Sequence, residues 1–350
     1  MSTDFFDIEI ESIQQETDEA VVLSLAIPPQ LQQQFAYQPG QYITLLDTIN
    51  GEELRRSYSI CSAPHEGCWQ VGIKMVEGGK FSTYANTQLQ PGHKLKAMPP
   101  MGKFTPKNAH AKHIMAFAAG SGITPCLSII KHTLQNMPHT LVTLVYGNKN
   151  RYSILFKDEI EALKNKYLNR FKVIYTLSKE LTDSPLTSGR IDATKCNLLF
   201  HKVVQTQVDE YFICGPEEMI LDVKSFLEQK NVPSSAIHFE LFGTTPASKK
   251  RAKPSVEADC EIEVIQDGRI IKFGLQNAQQ TVLDAALANG ADLPFACKGG
   301  VCCTCKAKLL EGTVHMEVNY GLEDDEVEKG YILTCQSLPT SKKLVVSFDA

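Results

Sequence analysis

The chain has 350 residues, of which 43% are hydrophobic and 21% charged, and its formal net charge is −5. This length is sufficient for two or three domains with separate cores, and this composition is typical of globular rather than disordered proteins. The acidic balance argues against a nucleic-acid partner, whose phosphates would require a basic face.

The sequence has no apolar run of about 18 residues and no basic, apolar leader at its N-terminus. We therefore expect a cytoplasmic protein with no membrane partner. The eleven cysteines are an odd number, which together with the missing leader favours reduced thiols over disulfides.

Residues 1–106 predict an antiparallel β-barrel, because short alternating or β-branched runs are separated by turn residues. From about residue 107 to 243, apolar strands alternate with helical stretches, which predicts an α/β domain with a parallel sheet. The polar, basic segment 244–258 is interpreted as a linker, and residues 259–350 as a third domain. The predicted strands are 5–10, 20–27, 42–46, 58–61 and 70–76 in the barrel and 113–119, 141–146, 171–177, 211–214 and 237–242 in the sheet, with helices at 125–136, 153–166 and 217–230.

Two short motifs in the first domain suit a bound nucleotide. Arg56, Tyr58 and Ser59 lie on a predicted strand and can neutralise a phosphate, stack on a flat ring and hydrogen-bond a ring nitrogen. A glycine pair ending at Gly79, with Ser82 nearby, precedes a helix expected from about residue 83 and could bind an anion. An ordinary surface strand and a hairpin turn are the simpler alternatives.

The second domain has glycine motifs after two of its strands. Gly120 and Gly122, followed by Thr124 and Pro125, lie between a strand and a helix, as in a dinucleotide-binding turn. Cys214, Gly215 and Pro216 end another strand of the same sheet and would let a planar ring lie against the backbone. A buried core cysteine is the alternative for Cys214.

The third domain contains a cysteine pattern with a strong chemical interpretation. Cys297, Cys302 and Cys305 have C-x4-C-x2-C spacing, and Cys335 follows thirty residues later, which is the plant-type spacing for a [2Fe–2S] cluster. A zinc site is the weaker alternative. Cys303 breaks the spacing and is interpreted as a packed thiol, with a ligand shift to Cys303 as a minor alternative.

Acidic residues precede Cys335 and could dock a basic partner surface, although a solvated helix face is the favoured interpretation. They are Glu323, Asp324, Asp325, Glu326 and Glu328.

Taken together and in this order, the motifs resemble the ferredoxin–NADP reductase superfamily fused to a plant-type ferredoxin. The resemblance covers the whole chain and implies a flavin barrel, a nucleotide domain and a β-grasp-like α+β ferredoxin. Stretches 145–148, 297–308 and 330–335 are most similar to the reductase subunits of phenylacetyl-CoA epoxidases. Reductases of steroid and aromatic-ring oxygenases are similar too.

The resemblance implies roles for the flavin-site residues. FAD would have Arg56 on its phosphates, Tyr58 on the isoalloxazine and Ser59 near N5, with Gly79 and Ser82 at the pyrophosphate. A related branch with the same domain order uses FMN, but the paired glycines favour FAD.

For the nucleotide site, the resemblance places Ser59, Cys214 and Glu240 around the hydride-transfer position, and Phe242 where relatives carry an aromatic residue against the flavin. In many relatives that aromatic residue ends the chain, so the role of Phe242 here is left open. Ser178 and Lys179 match the positions that bind the 2′-phosphate, so we expect NADPH in preference to NADH. Cys297, Cys302, Cys305 and Cys335 would hold the cluster.

The implied function is that of a reductase that takes two electrons from NADPH and delivers them singly, by way of FAD and the [2Fe–2S] cluster. The expected partner is the di-iron oxygenase component of phenylacetyl-CoA epoxidase. Two alternatives are the reductase of a Rieske-type or steroid oxygenase and, from another class, a zinc-stabilised scaffold without catalytic function.

Overall fold

The computed structural model describes residues 5–242, 260–275 and 279–350. The chain forms two compact units. The first spans Asp4–Phe242, and the second spans Gly243 to Ala350. The predicted linker, 244–258, lies outside the described residues. Among the helices of the described ranges, none is both long and apolar enough to cross a membrane.

The first unit begins with the predicted antiparallel barrel. Six strands pair in the order β4-β3-β6-β1-β2-β5, and a bridge between Ile60 and Val71 joins the end of β4 to β5, so that the sheet closes on itself. Ile8, Leu23 and Ile43 are fully buried inside. The elements are β1 (Phe6–Thr17), β2 (Ala20–Ala26), β3 (Tyr42–Ile49), β4 (Glu52–Ser59), β5 (Trp69–Lys74), α1 (Lys80–Thr87) and β6 (Lys94–Met101).

The same unit continues with the predicted parallel sheet, in the order β11-β10-β7-β8-β9. Strands β8 and β9 lie on one side of β7, and β10 and β11 lie on the other. The carboxyl ends of β7 and β10 therefore meet at the topological switch point of the sheet, where ligands of such sheets bind. The elements are β7 (His113–Ala119), α2 (Ile123–Asn136), β8 (Leu141–Asn148), α3 (Lys157–Lys166), β9 (Phe171–Leu177), α4 (Ala193–Lys202), β10 (Glu210–Gly215), α5 (Glu217–Gln229) and β11 (Ile237–Leu241).

Three helices begin at residues other than those predicted. Helix α1 begins at Lys80 rather than near 83, since the Thr83 N–H already donates to the Gly79 carbonyl oxygen at 3.0 Å. Helix α2 begins two residues before Pro125, because the first turn of a helix does not need the proline N–H. Helix α3 begins at residue 157 rather than 153, because Phe156 takes a left-handed conformation (φ +56°).

Helix α4 was not predicted at all. Only three of its ten residues, Lys195, Cys196 and Leu199, are buried, so its apolar periodicity is weak. Its start is nevertheless marked by Asp192, whose side chain accepts a hydrogen bond from the Lys195 N–H at 2.7 Å.

The second unit has a mixed five-stranded sheet in the order β13-β12-β18-β14-β16, in which β12 and β18 are parallel. Helix α6 contributes Val282, Leu283, Ala285 and Ala286 to the core beneath this sheet. This is the α+β arrangement expected for the ferredoxin. The elements are β12 (Glu261–Gln266), β13 (Arg269–Gly274), α6 (Val282–Ala288), β14 (Lys306–Glu311), β15 (Val314–Met316), α7 (Asp324–Glu328), β16 (Tyr331–Leu333), β17 (Ser337–Pro339) and β18 (Lys343–Ser347).

A buried ion triad joins the barrel to the parallel sheet within the first unit. Lys131 of α2 is 5% exposed, and its Nζ lies 2.8 Å from carboxylate oxygens of Glu66, at the barrel, and of Glu159, in α3. Burial alone would lower the pKa of Lys131, but the two carboxylates outweigh burial and raise it, so the ammonium group remains charged. Nearby, the Ser128 hydroxyl donates to the Ser62 carbonyl oxygen at 2.6 Å.

We expect Lys131→Met to lower the free energy of unfolding of this unit by about 2 kcal/mol, because hydrogen bonds to charged groups are lost while the partly exposed carboxylates regain water. Lys164→Met is the matched control. Lys164 is more exposed and pairs with Glu161 of its own helix, so the control should change stability by less than about 0.5 kcal/mol. Urea denaturation followed by circular dichroism measures both, and equal losses in the two variants would contradict the role assigned to the triad.

Candidate functional site

The turn after β7 packs against the end of β10 without any gap. A Cβ atom placed on Gly122 would lie 2.0 Å from the Cys214 carbonyl oxygen and 2.9 Å from the Gly215 nitrogen. Only glycine fits this approach. The two predicted glycine motifs, distant in the sequence, are therefore neighbours at the switch point, as expected for one ligand-binding crevice.

Helices α1 and α2 have N-termini suited to anions. Neither helix has a side-chain cap or an acidic residue in its first turn. Every other α-helix of the described residues has one or both of these features. The free N–H groups and the positive end of the helix dipole can therefore receive a phosphate at each of these two positions.

The Ser82 hydroxyl shapes the turn before α1. It accepts a hydrogen bond from the Val76 N–H at 3.1 Å and donates to the Gly79 carbonyl oxygen at 3.3 Å. In α2, the Thr124 hydroxyl similarly donates to the Ser121 carbonyl oxygen at 3.0 Å. These hydroxyls hold the two turns in place.

Ser59 and Glu240 come together at the boundary between barrel and sheet. The Ser59 Oγ donates to the Glu240 Oε2 at 3.1 Å. Burial raises the pKa of the Glu240 carboxyl to about 8, and the hydrogen bond from Ser59 opposes that rise. At neutral pH the carboxyl is therefore mostly protonated and can donate as well as accept a hydrogen bond.

Cys214 adjoins Glu240, because the two residues are in register on parallel strands β10 and β11. Its thiol is fully buried, and burial raises its pKa well above the ordinary value, with a further rise from the charge of Glu240. Cys126 of α2 is an unpredicted member of this group, with a pKa raised by burial and by Glu240. Both thiols remain neutral, so they can pack against a ring but do not supply a thiolate nucleophile.

Tyr58 presents the aromatic ring expected at the flavin position. It is half-buried in β4, with its centroid 5.7 Å from that of Phe81. Burial raises the pKa of the Tyr58 phenol, while the charge of Arg56 opposes that rise. Arg56 is exposed and its guanidinium donates to the Arg55 carbonyl oxygen at 2.7 Å. The ring of Tyr58 and the accessible guanidinium of Arg56 thus lie close to Ser59 in the same strand. This combination of side chains fits a flavin nucleotide.

Phe242, predicted as a second aromatic residue at the flavin, follows β11 and is 41% exposed. It is the last described residue of its unit. Its role therefore stays a prediction.

The loops after β8 and β9 are tied together at the expected 2′-phosphate position. The N–H groups of Ser178 and Lys179 donate to the carbonyl oxygens of residues 148 and 149, at 2.9 and 2.8 Å. The sequence prediction missed Arg151 and Glu180 here. The Glu180 carboxylate accepts from the Arg151 Nε at 2.6 Å and from its backbone N–H at 2.9 Å. Lys149 and Arg151 follow β8 in the sequence, but no local pattern indicates that Arg151 pairs with Glu180 of a separate loop.

The four cysteines of the predicted cluster lie together as two pairs. The Cys302 thiol donates a hydrogen bond to the Cys297 sulfur, and the Cys305 thiol donates one to the Cys335 sulfur. Within the described residues, no three His, Cys, Asp or Glu side chains converge as a single metal ion requires. Two pairs of thiols fit two irons better than one zinc ion.

Backbone N–H groups point at these sulfurs. The Gly299 N–H donates to the Cys297 sulfur at 3.3 Å, and the Cys297 N–H to the Cys302 sulfur at 3.5 Å. The hydrogen bond from the Cys302 thiol and the backbone N–H groups of residues 299, 301 and 302 outweigh burial and lower the pKa of Cys297 to about 6. This shift favours the thiolate that a metal requires. The Cys303 thiol instead donates to the Gly321 carbonyl oxygen at 2.7 Å, as a packed residue would.

Part of the acidic segment before Cys335 is neutralised within the unit. Glu326 is almost buried and lies 3.3 Å from the Lys306 ammonium, and Asp325 lies 2.7 Å from that of Lys329. The favoured interpretation, a solvated helix face, therefore fits the exposed Asp324 and Glu328 of α7. It does not fit Glu326, which is buried and pairs with Lys306 of β14.

Three family descriptions match the chain. Residues 7–105 match the oxidoreductase FAD-binding domain, residues 117–225 the oxidoreductase NAD-binding domain and residues 264–340 the 2Fe-2S iron-sulfur cluster binding domain. Over 352 residues, 99% of each chain, the sequence is 43% identical to a subunit of the 1,2-phenylacetyl-CoA epoxidase of Escherichia coli strain K12. The chain belongs to the ferredoxin–NADP reductase superfamily, in the group with a C-terminal [2Fe–2S] domain.

This reductase is an oxidoreductase with FAD and [2Fe–2S] as cofactors and a nicotinamide nucleotide as electron donor. It is 31% identical to "3-ketosteroid-9-alpha-monooxygenase, ferredoxin reductase component" of Rhodococcus rhodochrous over 97% of this chain and 96% of that protein. Among solved structures, phthalate dioxygenase reductase has the same fold, with a TM-score of 0.63, 22% identity and 98% of each chain covered. An intact type IV self-sufficient cytochrome P450 monooxygenase gives a TM-score of 0.70 at 20% identity, over 98% of this chain and 41% of that one.

The raised pKa of Glu240 predicts how stability depends on pH. The unfolded carboxyl loses its proton near its ordinary pKa of 4.5, whereas the folded one keeps it until about pH 8. The folded state therefore binds more protons in this window, and stability falls as pH rises through it. We expect the melting temperature of the flavin-free protein to fall less steeply between pH 5 and 8 in Glu240→Gln than in wild type. The exposed Glu218→Gln is the control, and parallel curves for wild type and Glu240→Gln would contradict the assignment.

Proposed function

We propose that this chain is the NADPH-dependent reductase component of a phenylacetyl-CoA epoxidase, which passes electrons through FAD and a [2Fe–2S] cluster to the di-iron oxygenase subunits. The observation that supports this most strongly is the 43% identity, over 99% of both chains, to the subunit of the Escherichia coli 1,2-phenylacetyl-CoA epoxidase. When bound, the flavin supplies the change from two-electron to one-electron chemistry. The protein supplies binding, orientation and a site that excludes water.

In the flavin site, Arg56 is proposed to neutralise phosphate charge and Tyr58 to cover one face of the isoalloxazine. Gly79 and Ser82, at the uncapped start of α1, are proposed to bind the pyrophosphate. Phe242 is proposed as a second aromatic contact for the flavin.

In the nucleotide site, Gly120, Gly122, Thr124 and Pro125 are proposed to bind the pyrophosphate of NADPH at the start of α2. Gly215 and Pro216 are proposed to flank the nicotinamide at the end of β10.

Ser59, Cys214 and Glu240 are proposed to orient the nicotinamide and flavin rings for hydride transfer. The hydrogen bond from Ser59 fixes the Glu240 carboxyl, and the raised pKa leaves a proton on that carboxyl at neutral pH. The neutral, buried Cys214 thiol offers a small, soft surface for a ring.

In the second unit, Cys297, Cys302, Cys305 and Cys335 are proposed as the ligands of the cluster, one pair for each iron. The pairing of the four sulfurs and the N–H groups that point at them support this assignment.

We further propose that the protein acts in the cytoplasm. No disulfide joins any cysteine of the described residues, which is the expected state where thiols are kept reduced.

Lys179→Ala should reduce kcat/KM for NADPH about tenfold or more and leave kcat/KM for NADH nearly unchanged, because a charge-assisted contact to the 2′-phosphate is lost. Steady-state reduction of a flavin-reactive dye measures both nucleotides on one variant, so NADH serves as the internal control. An equal loss for NADH and NADPH would contradict the proposed contact of Lys179.

Cys305→Ser should abolish electron delivery to protein acceptors and preserve NADPH oxidation by a dye that reacts with the flavin, because only the first of these needs the cluster. Cys303→Ser, in the same loop, should preserve both activities, since Cys303 bonds to Gly321 instead. Loss of both activities in a folded Cys305→Ser variant would contradict a separate role for the cluster.

The partner is tested by anaerobic reduction with NADPH, followed by addition of the epoxidase oxygenase component with phenylacetyl-CoA. Rapid return of the oxidised cluster absorbance, with epoxide formed once oxygen is admitted, supports the proposal. Reoxidation by a 3-ketosteroid 9α-monooxygenase oxygenase component in place of the epoxidase would instead favour a steroid partner, which is the second candidate given the 31% identity.

A further inference from the structure

Gln336 reaches across the loop that contains the first three cysteines. Its Nε2 lies 2.9 Å from the Lys298 carbonyl oxygen, 3.0 Å from the Cys335 carbonyl oxygen and 3.7 Å from the Cys335 sulfur. Carbonyl oxygens only accept hydrogen bonds, so the amide nitrogen and not the amide oxygen must face them. The two N–H groups of Gln336 therefore serve three acceptors, one of which is a sulfur.

The surroundings fix this side chain in place. The Gln336 backbone N–H donates to the Leu333 carbonyl oxygen at 2.9 Å, and its own carbonyl oxygen accepts from the Glu317 N–H at 2.9 Å. A Cβ atom on Gly300 would approach the Gln336 Cγ to 3.1 Å, and Gly300 has a φ of +76°, so both the space and the backbone there favour glycine. The Gly300 N–H is a second hydrogen-bond donor to the Cys335 sulfur.

Hydrogen bonds to cluster sulfurs matter because reduction adds negative charge to the cluster. A donor stabilises the reduced form more than the oxidised form and so makes the reduction potential less negative. Most donors near the four cysteines are backbone N–H groups, which side-chain substitution leaves in place. The Gln336 donor belongs to a side chain and can be removed.

We propose that Gln336 sets the reduction potential of the cluster by donating a hydrogen bond to the Cys335 sulfur, while its bond to the Lys298 carbonyl holds the cysteine loop closed. This role rests on the proposed function, in which Cys335 is a ligand. Gln336 acts through Cys335 and is a positioning residue.

The test is an anaerobic redox titration of the full-length protein, monitored by electron paramagnetic resonance of the reduced cluster. Gln336→Met keeps the length of the side chain and removes both N–H groups, so its midpoint potential should shift to more negative values at full iron content. Gln336→Glu should shift it further in the same direction at neutral pH, because a carboxylate adds charge beside the sulfur. Gln266→Met, the same change in β12, should leave the potential unchanged.

An unchanged midpoint potential in Gln336→Met with full iron content would overturn the proposal but leave the proposed function intact. Failure of the proposed function would look different, since the wild-type protein would then show no cluster signal. If Gln336→Met does not retain iron, the hydrogen bond is tested by pulsed electron paramagnetic resonance on the reduced wild-type protein, with its glutamine side-chain amides labelled with ¹⁵N. A magnetic coupling between the cluster and a labelled nitrogen supports the hydrogen bond from Gln336. The absence of such a coupling overturns the proposal.

Discussion

The hydrogen bond between Ser59 and Glu240 joins the barrel to the parallel sheet at the proposed site of hydride transfer. These residues are 181 positions apart in the chain, one at the end of a barrel strand and the other on the outermost strand of the parallel sheet. The contact places the proposed flavin ring position beside the switch point, where Gly122 and Cys214 lie in van der Waals contact. The buried ion triad of Lys131 and the hydrogen bond from Ser128 hold the same two layers together from the side of α2. Hydride transfer requires such fixed placement, because small displacements of reacting atoms are costly.

The second unit holds four thiols close together and surrounds them with hydrogen-bond donors that can stabilise added negative charge. Lys298, Gly300 and Cys303 all have positive φ values, so the backbone curls around the sulfurs and turns its N–H groups inward. The two thiol pairs and their donors thereby fit the needs of a binuclear centre, which supports the proposed ligand set. Cys303 shows how specific this arrangement is, since a thiol within the same loop points at a carbonyl oxygen of another segment.

Much of this architecture could be predicted from the sequence, because strands, turn glycines and cysteine spacing are local signals. The parallel direction of the sheet strands follows from their alternation with helices, and the candidate glycines lie at strand ends. Features that depend on tertiary contacts were missed. No sequence pattern indicates that Cys126 approaches Glu240. The pairing of Arg151 with Glu180 links two separate loops. Gln336 lies outside every motif that the sequence analysis identified. Helix α4 escaped prediction because so few of its residues are buried. The starts of α1 and α2 were misplaced because neither helix has a side-chain cap that would mark its first residue in the sequence.

In the proposed electron path, electrons enter through the nucleotide and flavin sites of the first unit and leave through the cysteine site of the second. Anaerobic stopped-flow mixing of the oxidised protein with NADPH, recorded across the visible spectrum, can follow this path. We predict loss of flavin absorbance first and loss of cluster absorbance after it, with the second phase absent in a variant that lacks the cluster. Cluster bleaching that precedes flavin bleaching, or flavin reduction with no cluster reduction in fully loaded protein, would contradict this electron path.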